Sequence, residues 1–376
     1  MAGSGVARAR LNTLTGLRFF AALAVVLIHV GPRFARANWL LTADNLGYVG
    51  VSFFFLLSGF VLTWSYSGAS ARRFWWLRFA RVWPAQFVLA LFALTVLAAR
   101  EHIPGRWGRG AELLLLQAWS PDVRVYYGGN GVAWSLSAEM FFYLLFPLVI
   151  VGLLRLRGRG LLITAAATLI VMAAAPLIAR AVGISDATYA WLFFVFPPYR
   201  FAEFLLGMVL ARAMQLGLRL PAPGWTALGA TAGLVVAMWW LTDLALHTGT
   251  VAQRPFVALL MLPFFAALLL AGATRDLDGS HRRWWLGSRP LVLLGEWSFA
   301  LYLVHKPLFL LTDHWNWWHN TGGLSALAAF FAYLACALAA AALVHHFVEK
   351  PIERALRRQS FRNLRYWRWT RVVSKE

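Results

Sequence analysis

Cysteine occurs once in 376 residues, at Cys336, so no intrachain disulfide can form and a disulfide-held secreted scaffold is excluded. Charge is scarce as well: only 13% of the residues are Asp, Glu, Lys or Arg, about half the share of a soluble domain. Acidic residues number 15 against 35 basic ones, and lysine appears only at Lys306, Lys350 and Lys375. There is no repeat and no linker of low complexity. What fills the chain is apolar, 60% of it, including 28 Phe and 20 Trp, which excludes disorder. The composition is that of a protein whose solvent is lipid.

A net charge of +20 suggests nucleic acid until the distribution is read. The arginines fall in short clusters between long apolar runs, so no nucleic-acid partner is expected. A transmembrane helix needs about 20 mostly apolar residues to cross ~30 Å of hydrocarbon. Ten runs qualify, at 14–32, 47–67, 84–102, 132–152, 160–180, 190–212, 223–245, 254–273, 291–312 and 323–347. With the N-terminus inside, 25 Lys and Arg flank the cytoplasmic ends and eight the outer ends. The positive-inside rule then predicts an all-α polytopic membrane protein. It is a bundle of about ten transmembrane helices in the inner (plasma) membrane, with both termini cytoplasmic. Residues 1–350 form the transmembrane domain. Residues 351–376 form a basic, aromatic cytoplasmic tail that rests on the anionic leaflet.

Ionisable groups inside spans are costly, so each is a candidate for function. Arg18 and His29 are eleven residues apart. At ~100° per residue they share a helix face, with a rise of about 16 Å between them. Glu139 and His305 fall at a depth similar to that of His29, which gathers three ionisable groups from three helices into one layer. Arg200 and Glu203, three apart, are spaced as a structural ion pair. His345 and Glu349 could present two metal ligands but lack a third, so no metal is expected. Cys336 reads as a small packing residue.

The motifs carried by these residues resemble those of the acyltransferase-3 family of bacterial membrane O-acyltransferases. Arg18 and His29 are similar to its R-x10-H pair, and Gly50–Phe60 (GVSFFFLLSGF) resembles its second-span signature. Arg78-Phe79-Ala80-Arg81 resembles its R-x-x-R loop, and Trp134–Glu139 (WSLSAE) its fourth-span entry. Tyr302-Leu303-Val304-His305 with Pro307, and Phe347–Pro351 (FVEKP), resemble its last two landmarks. Met140 departs from the pattern, since many members carry a second carboxylate there. The chain is expected to lack the esterase-like domain that some members carry.

The resemblance implies acyl transfer, typically acetyl, from acetyl-CoA or another acyl-CoA to a hydroxyl on a glycan, glycolipid or macrolide acceptor. Under that reading His29 is the general base, Glu139 orients its ring, and His305 is a second base or an oxyanion donor. Ser58, Trp134 and Tyr302 are further candidate oxyanion donors. Arg18 and a cytoplasmic loop bearing Arg72, Arg73, Arg78 and Arg81 would hold the donor phosphates. The aromatic outer segments 104–131 and 313–320 read first as interface belts and second as acceptor surfaces. A homo-oligomer remains open. The rival reading is a polytopic transporter or flippase for a glycan or lipid-linked substrate, against which the absence of internal symmetry counts.

Overall fold

In hydrocarbon a backbone N–H or C=O has no water to bond, so long apolar runs close their own hydrogen bonds as helices. The computed structural model describes residues 10–34, 48–248, 254–278, 285–314 and 324–358, and every regular element among them is helical. α1 spans Asn12–Phe34, α2 Tyr48–Ser65, α3 Ala71–Ala99, α4 Arg106–Leu114 and α5 Val123–Tyr126. α6 covers Trp134–Arg155, α7 Gly158–Ala181, α8 Asp186–Ala190 and α9 Pro197–Gln215. α10 is Pro223–Thr248, α11 Arg254–Leu277, α12 Arg289–His314 and α13 Leu324–Val344. A wide π turn at His345–Glu349 carries α13 into a further helical stretch through residue 358.

Among the described residues, seven helical stretches are long and apolar enough to cross a membrane. The other three expected spans fall on α2, α10 and α12. The outward face of α7 carries Leu162, Ile163 and Ile170, each about two-thirds exposed, as lipid contact requires. The protein is an all-α, multi-pass membrane protein.

Two expected boundaries shift. The third span was read from 84, yet α3 begins at Ala71, because Ser70 caps it by accepting from the Arg73 N–H at 3.4 Å. Arg72, Arg73, Arg78 and Arg81 therefore ride on helix rather than loop. The sixth span is broken: a π turn at Trp191–Val195 ends at Phe196, and α9 restarts on Pro197.

Close packing sets the site. α2 and α9 cross with Gly59 and Gly207 at the contact. A Cβ on Gly59 would lie 1.9 Å from the Phe204 carbonyl oxygen, and one on Gly207 would lie 1.9 Å from that of Leu56. Only glycine permits that approach. The start of α1 is fixed by Asp276, whose carboxylate accepts from the Thr13 N–H at 2.9 Å and the Thr13 hydroxyl at 2.7 Å.

The expected aromatic loop 104–131 tucks a polar cluster inward while Trp107, Trp119 and Tyr127 stay exposed. Glu112 on α4 is 1% exposed and accepts from Gln86 Nε2 on α3 at 3.2 Å. Gln86 lies 14 residues, about 21 Å, below Arg100 at the end of α3. Glu112 also accepts from Gln117 Nε2 (3.2 Å) and the Asn130 N–H (3.3 Å), so the buried carboxylate gathers three donors. Gly129 makes room, since a Cβ there would meet the Glu112 carboxyl carbon at 2.7 Å.

Candidate active site

A cavity of about 380 Å³, within the roughly 300–1,000 Å³ range of small-molecule sites, runs between α2, α3, α6 and α12. Along α2 its wall extends from Ser65 to Val51, a rise of about 21 Å. One end is ringed by Arg18, Arg78, Arg81, Glu353 and Arg357, and the other is closed by Ser135 and Tyr302. Arg72 and Arg73 are exposed on the first turn of α3 and do not line it. Of the expected phosphate ligands, three of five converge.

Glu139 faces this cavity from α6. Its Oε1 accepts from the Ser58 hydroxyl at 2.7 Å and from the Tyr143 hydroxyl at 2.5 Å. The expected contact with the His29 ring does not form, and the Ser58 proton is committed to Glu139. Tyr302 is committed as well. Its hydroxyl donates to the Val132 carbonyl at 2.9 Å and lies 2.7 Å from the Ser135 hydroxyl. Trp134 lies outside the cavity, where its ring flanks the Arg200 guanidinium at 6.0 Å, with Phe55 at 5.2 Å and Phe194 at 5.8 Å. Arg200 and Glu203 form the expected ion pair at 3.1 Å, both buried, and Arg200 also donates to the Ser52 hydroxyl at 3.1 Å.

His29 meets His305, one turn beyond Tyr302, and neither lines the cavity. His305 Nε2 is 3.4 Å from His29 Nδ1, and the rings are 5.2 Å apart. The partners assign the protons. His29 Nδ1 faces the Val25 carbonyl at 2.8 Å and His305 Nδ1 faces that of Leu301 at 3.1 Å; a carbonyl only accepts, so each Nδ1 carries hydrogen. His305 Nε2 then accepts from His29, and His29 Nε2 keeps its lone pair. His305 is fully buried, and the Tyr333 hydroxyl donates to its carbonyl at 2.5 Å. His29 is half-buried.

Sequence reasoning missed Glu112 and read Asn130 only as part of the aromatic outer segment 104–131. Asn130 Nδ2 donates to the Leu303 carbonyl at 2.8 Å, two residues before His305. The inward-folded segment thus grips the histidine-bearing turn. The only sequence signal was the Gly128–Gly131 run around Asn130. His345 and Glu349 bond one another at 2.8 Å instead of presenting a shared metal face, and no cluster of three metal-ligating side chains occurs among the described residues. Cys336, read as a small packing residue, lies on an exposed face of α13. Residues 315–320 of the second aromatic segment and 362–371 of the tail lie outside the described residues.

The fold and site define a multi-pass helical membrane protein with an arginine-ringed cavity and, one helical turn beyond its Tyr302 end, a histidine pair. The comparisons give that class its family: residues 11–346 match the acyltransferase domain model, and the chain belongs to the acyltransferase-3 family. It is 36% identical to acyltransferase MdmB of Streptomyces mycarofaciens over 93% of both chains. It is 27% identical to the putative peptidoglycan O-acetyltransferase YrhL of Bacillus subtilis, covering 96% of this chain and 58% of that one. Against O-acetyltransferase OatA of Staphylococcus aureus the identity is 24%, over 92% of this chain and 57% of that one. No solved structure matches.

Proposed function

We propose that the protein moves an acyl group, typically acetyl, from cytoplasmic acyl-CoA to a hydroxyl of a glycan, glycolipid or macrolide acceptor. The observation that carries this reading is the cavity itself. Three arginines of two family motifs ring its mouth, and its closed end lies one helical turn below the histidine pair. With the arginine end cytoplasmic, phosphates stay at the mouth while the pantetheine arm runs along α2.

His29 is the base. The acceptor O–H gives its proton to His29 Nε2 as its oxygen bonds the thioester carbonyl carbon. The C–S bond then breaks, and the proton passes to the departing sulfur, leaving ester and free thiol. As His29 becomes imidazolium, its Nδ1–H is shared between the Val25 carbonyl and His305 Nε2, the support first assigned to Glu139. Tyr302 separates donor from base. Its release from Val132 and Ser135, two hydrogen bonds at about 1 kcal/mol each, joins the compartments. Glu139, fixed by Ser58 and Tyr143, is left to position the donor arm. Arg200 and Glu203 tie α9 to the α2 and α6 walls.

The test is transfer of radiolabelled acetyl from acetyl-CoA by purified protein to a panel of hydroxyl acceptors. Wild type releases free CoA with product, and His29→Ala loses at least about 100-fold in kcat, the scale of a general base. A folded His29→Ala protein of undiminished kcat would remove the base assignment. No CoA release with any acceptor would favour the transporter.

A further inference from the structure

We infer that Glu353 is a built-in counter-anion at the cavity mouth, bridging Arg81 and Arg357 until the donor's phosphates displace it. Arg357 thereby joins the donor site. This rests on the acyl-CoA reading above.

Glu353 lies on the helical stretch that follows the π turn of α13, and both it and Arg357 line the cavity. Its two oxygens serve different guanidiniums: Oε1 is 2.5 Å from Arg357 Nη2, and Oε2 is 3.1 Å from Arg81 Nη1. A carboxylate spread across two arginines makes the contacts that a phosphate makes with two of its oxygens. The other two arginines of the ring, Arg18 and Arg78, form no ion pair with a carboxylate among the described residues. Arg78 Nε is buried without a hydrogen-bond partner among them. The mouth thus holds two cations with no carboxylate in ion-pair contact among the described residues and two cations bridged by one exchangeable carboxylate.

Exchange needs Glu353 to leave without stranding Arg81. A second carboxylate meets that need. Glu349 is fully buried, held by His345 at 2.8 Å, and lies 3.5 Å from Arg81 Nη1. Arg81 keeps this partner when Glu353 turns away. Arg357 is half-exposed and Glu353 retains some access to solvent, so their pair is screened by water and yields to a more highly charged ligand. The backbone bearing them is anchored independently, through the Trp76 indole, which donates to the Leu356 carbonyl at 3.0 Å. Rotation of two side chains therefore suffices. The ligand class that fits is a pyrophosphate-bearing nucleotide with an extended arm.

The test is direct binding of coenzyme A, without acyl group or acceptor, to full-length detergent-purified protein by titration calorimetry. Melting temperatures confirm that each variant is folded. Glu353→Gln removes the competing charge and lowers the CoA dissociation constant by roughly 3- to 10-fold, the scale of one charge-assisted contact at a partly exposed site. Arg357→Gln raises it by a similar factor. Pantetheine, which lacks the nucleotide, is affected by neither change. If wild type binds CoA but Glu353→Gln binds it equally or more weakly, the counter-anion inference is overturned and the acyl-CoA reading survives. If folded wild type binds no CoA, the donor reading itself fails.

Discussion

Replacing Glu112 by alanine tests whether the inward-folded segment is held by its buried carboxylate. The substitution strips a common acceptor from Gln86 Nε2, Gln117 Nε2 and the Asn130 N–H, in a place where Glu112, Gln86, Gln117 and Asn130 are all at most 1% exposed. A buried donor left without a partner costs about 1–3 kcal/mol, so three give roughly 3–6 kcal/mol after partial relaxation. At about 2–4 °C per kcal/mol the melting temperature in detergent falls by about 6–24 °C. Because Asn130 also grips the Leu303 carbonyl, activity at a permissive temperature falls with it. Glu112→Gln separates shape from charge. Its new amide can donate to the carboxamide oxygens of Gln86, Gln117 or Asn130, which have no partner among the described residues, so stability stays within about 1 kcal/mol of wild type. Circular-dichroism melting of the three proteins decides. An alanine variant as stable as wild type would refute the reasoning, and a glutamine variant as damaged as alanine would show that the charge itself is needed.

Gly207→Val forces α2 and α9 apart, because even its Cβ would sit 1.9 Å from the Leu56 carbonyl oxygen. Stability should drop by more than the ~1–3 kcal/mol of ordinary overpacking, and wild-type melting of this variant would mean that the helices do not cross there. Arg78→Gln with Arg81→Gln should raise the KM for acyl-CoA at least about tenfold while kcat changes less, as expected for loss of ground-state donor contacts. A kcat loss at constant KM would place these arginines in another role.

The helical bundle was legible because apolar run length and arginine flanks report membrane partition directly. Arg18 and His29 were legible because an eleven-residue step is fixed helix geometry, and the structure takes the one to the cavity mouth and the other to His305. Partners were harder to read. Glu139 was recognised as an intramembrane carboxylate and its bond to Tyr143 is a local i,i+4 pair on α6, but its bond to Ser58 depends on the register between α2 and α6, which no local pattern encodes. The same holds for Tyr302, whose hydroxyl is spent on Val132. The start of α3 was missed since a search for apolar runs begins where charges stop, whereas the helix begins at its Ser70 cap. Glu112 escaped because a carboxylate between spans carries no mark of depth, and only its pairing with Gln86 brings it inside.

The most direct measurement is a structure of the protein with a non-transferable acyl-CoA analogue, the thioester sulfur separated from the carbonyl by a methylene. The account predicts the nucleotide among Arg18, Arg78, Arg81 and Arg357, the pantetheine along α2, and the acyl end beside Tyr302. With Tyr302 displaced, the carbonyl should approach an acceptor oxygen on His29 Nε2 to within about 3–3.5 Å. An analogue whose acyl end lies away from the histidine pair, or whose nucleotide enters from the side of His29, would contradict it.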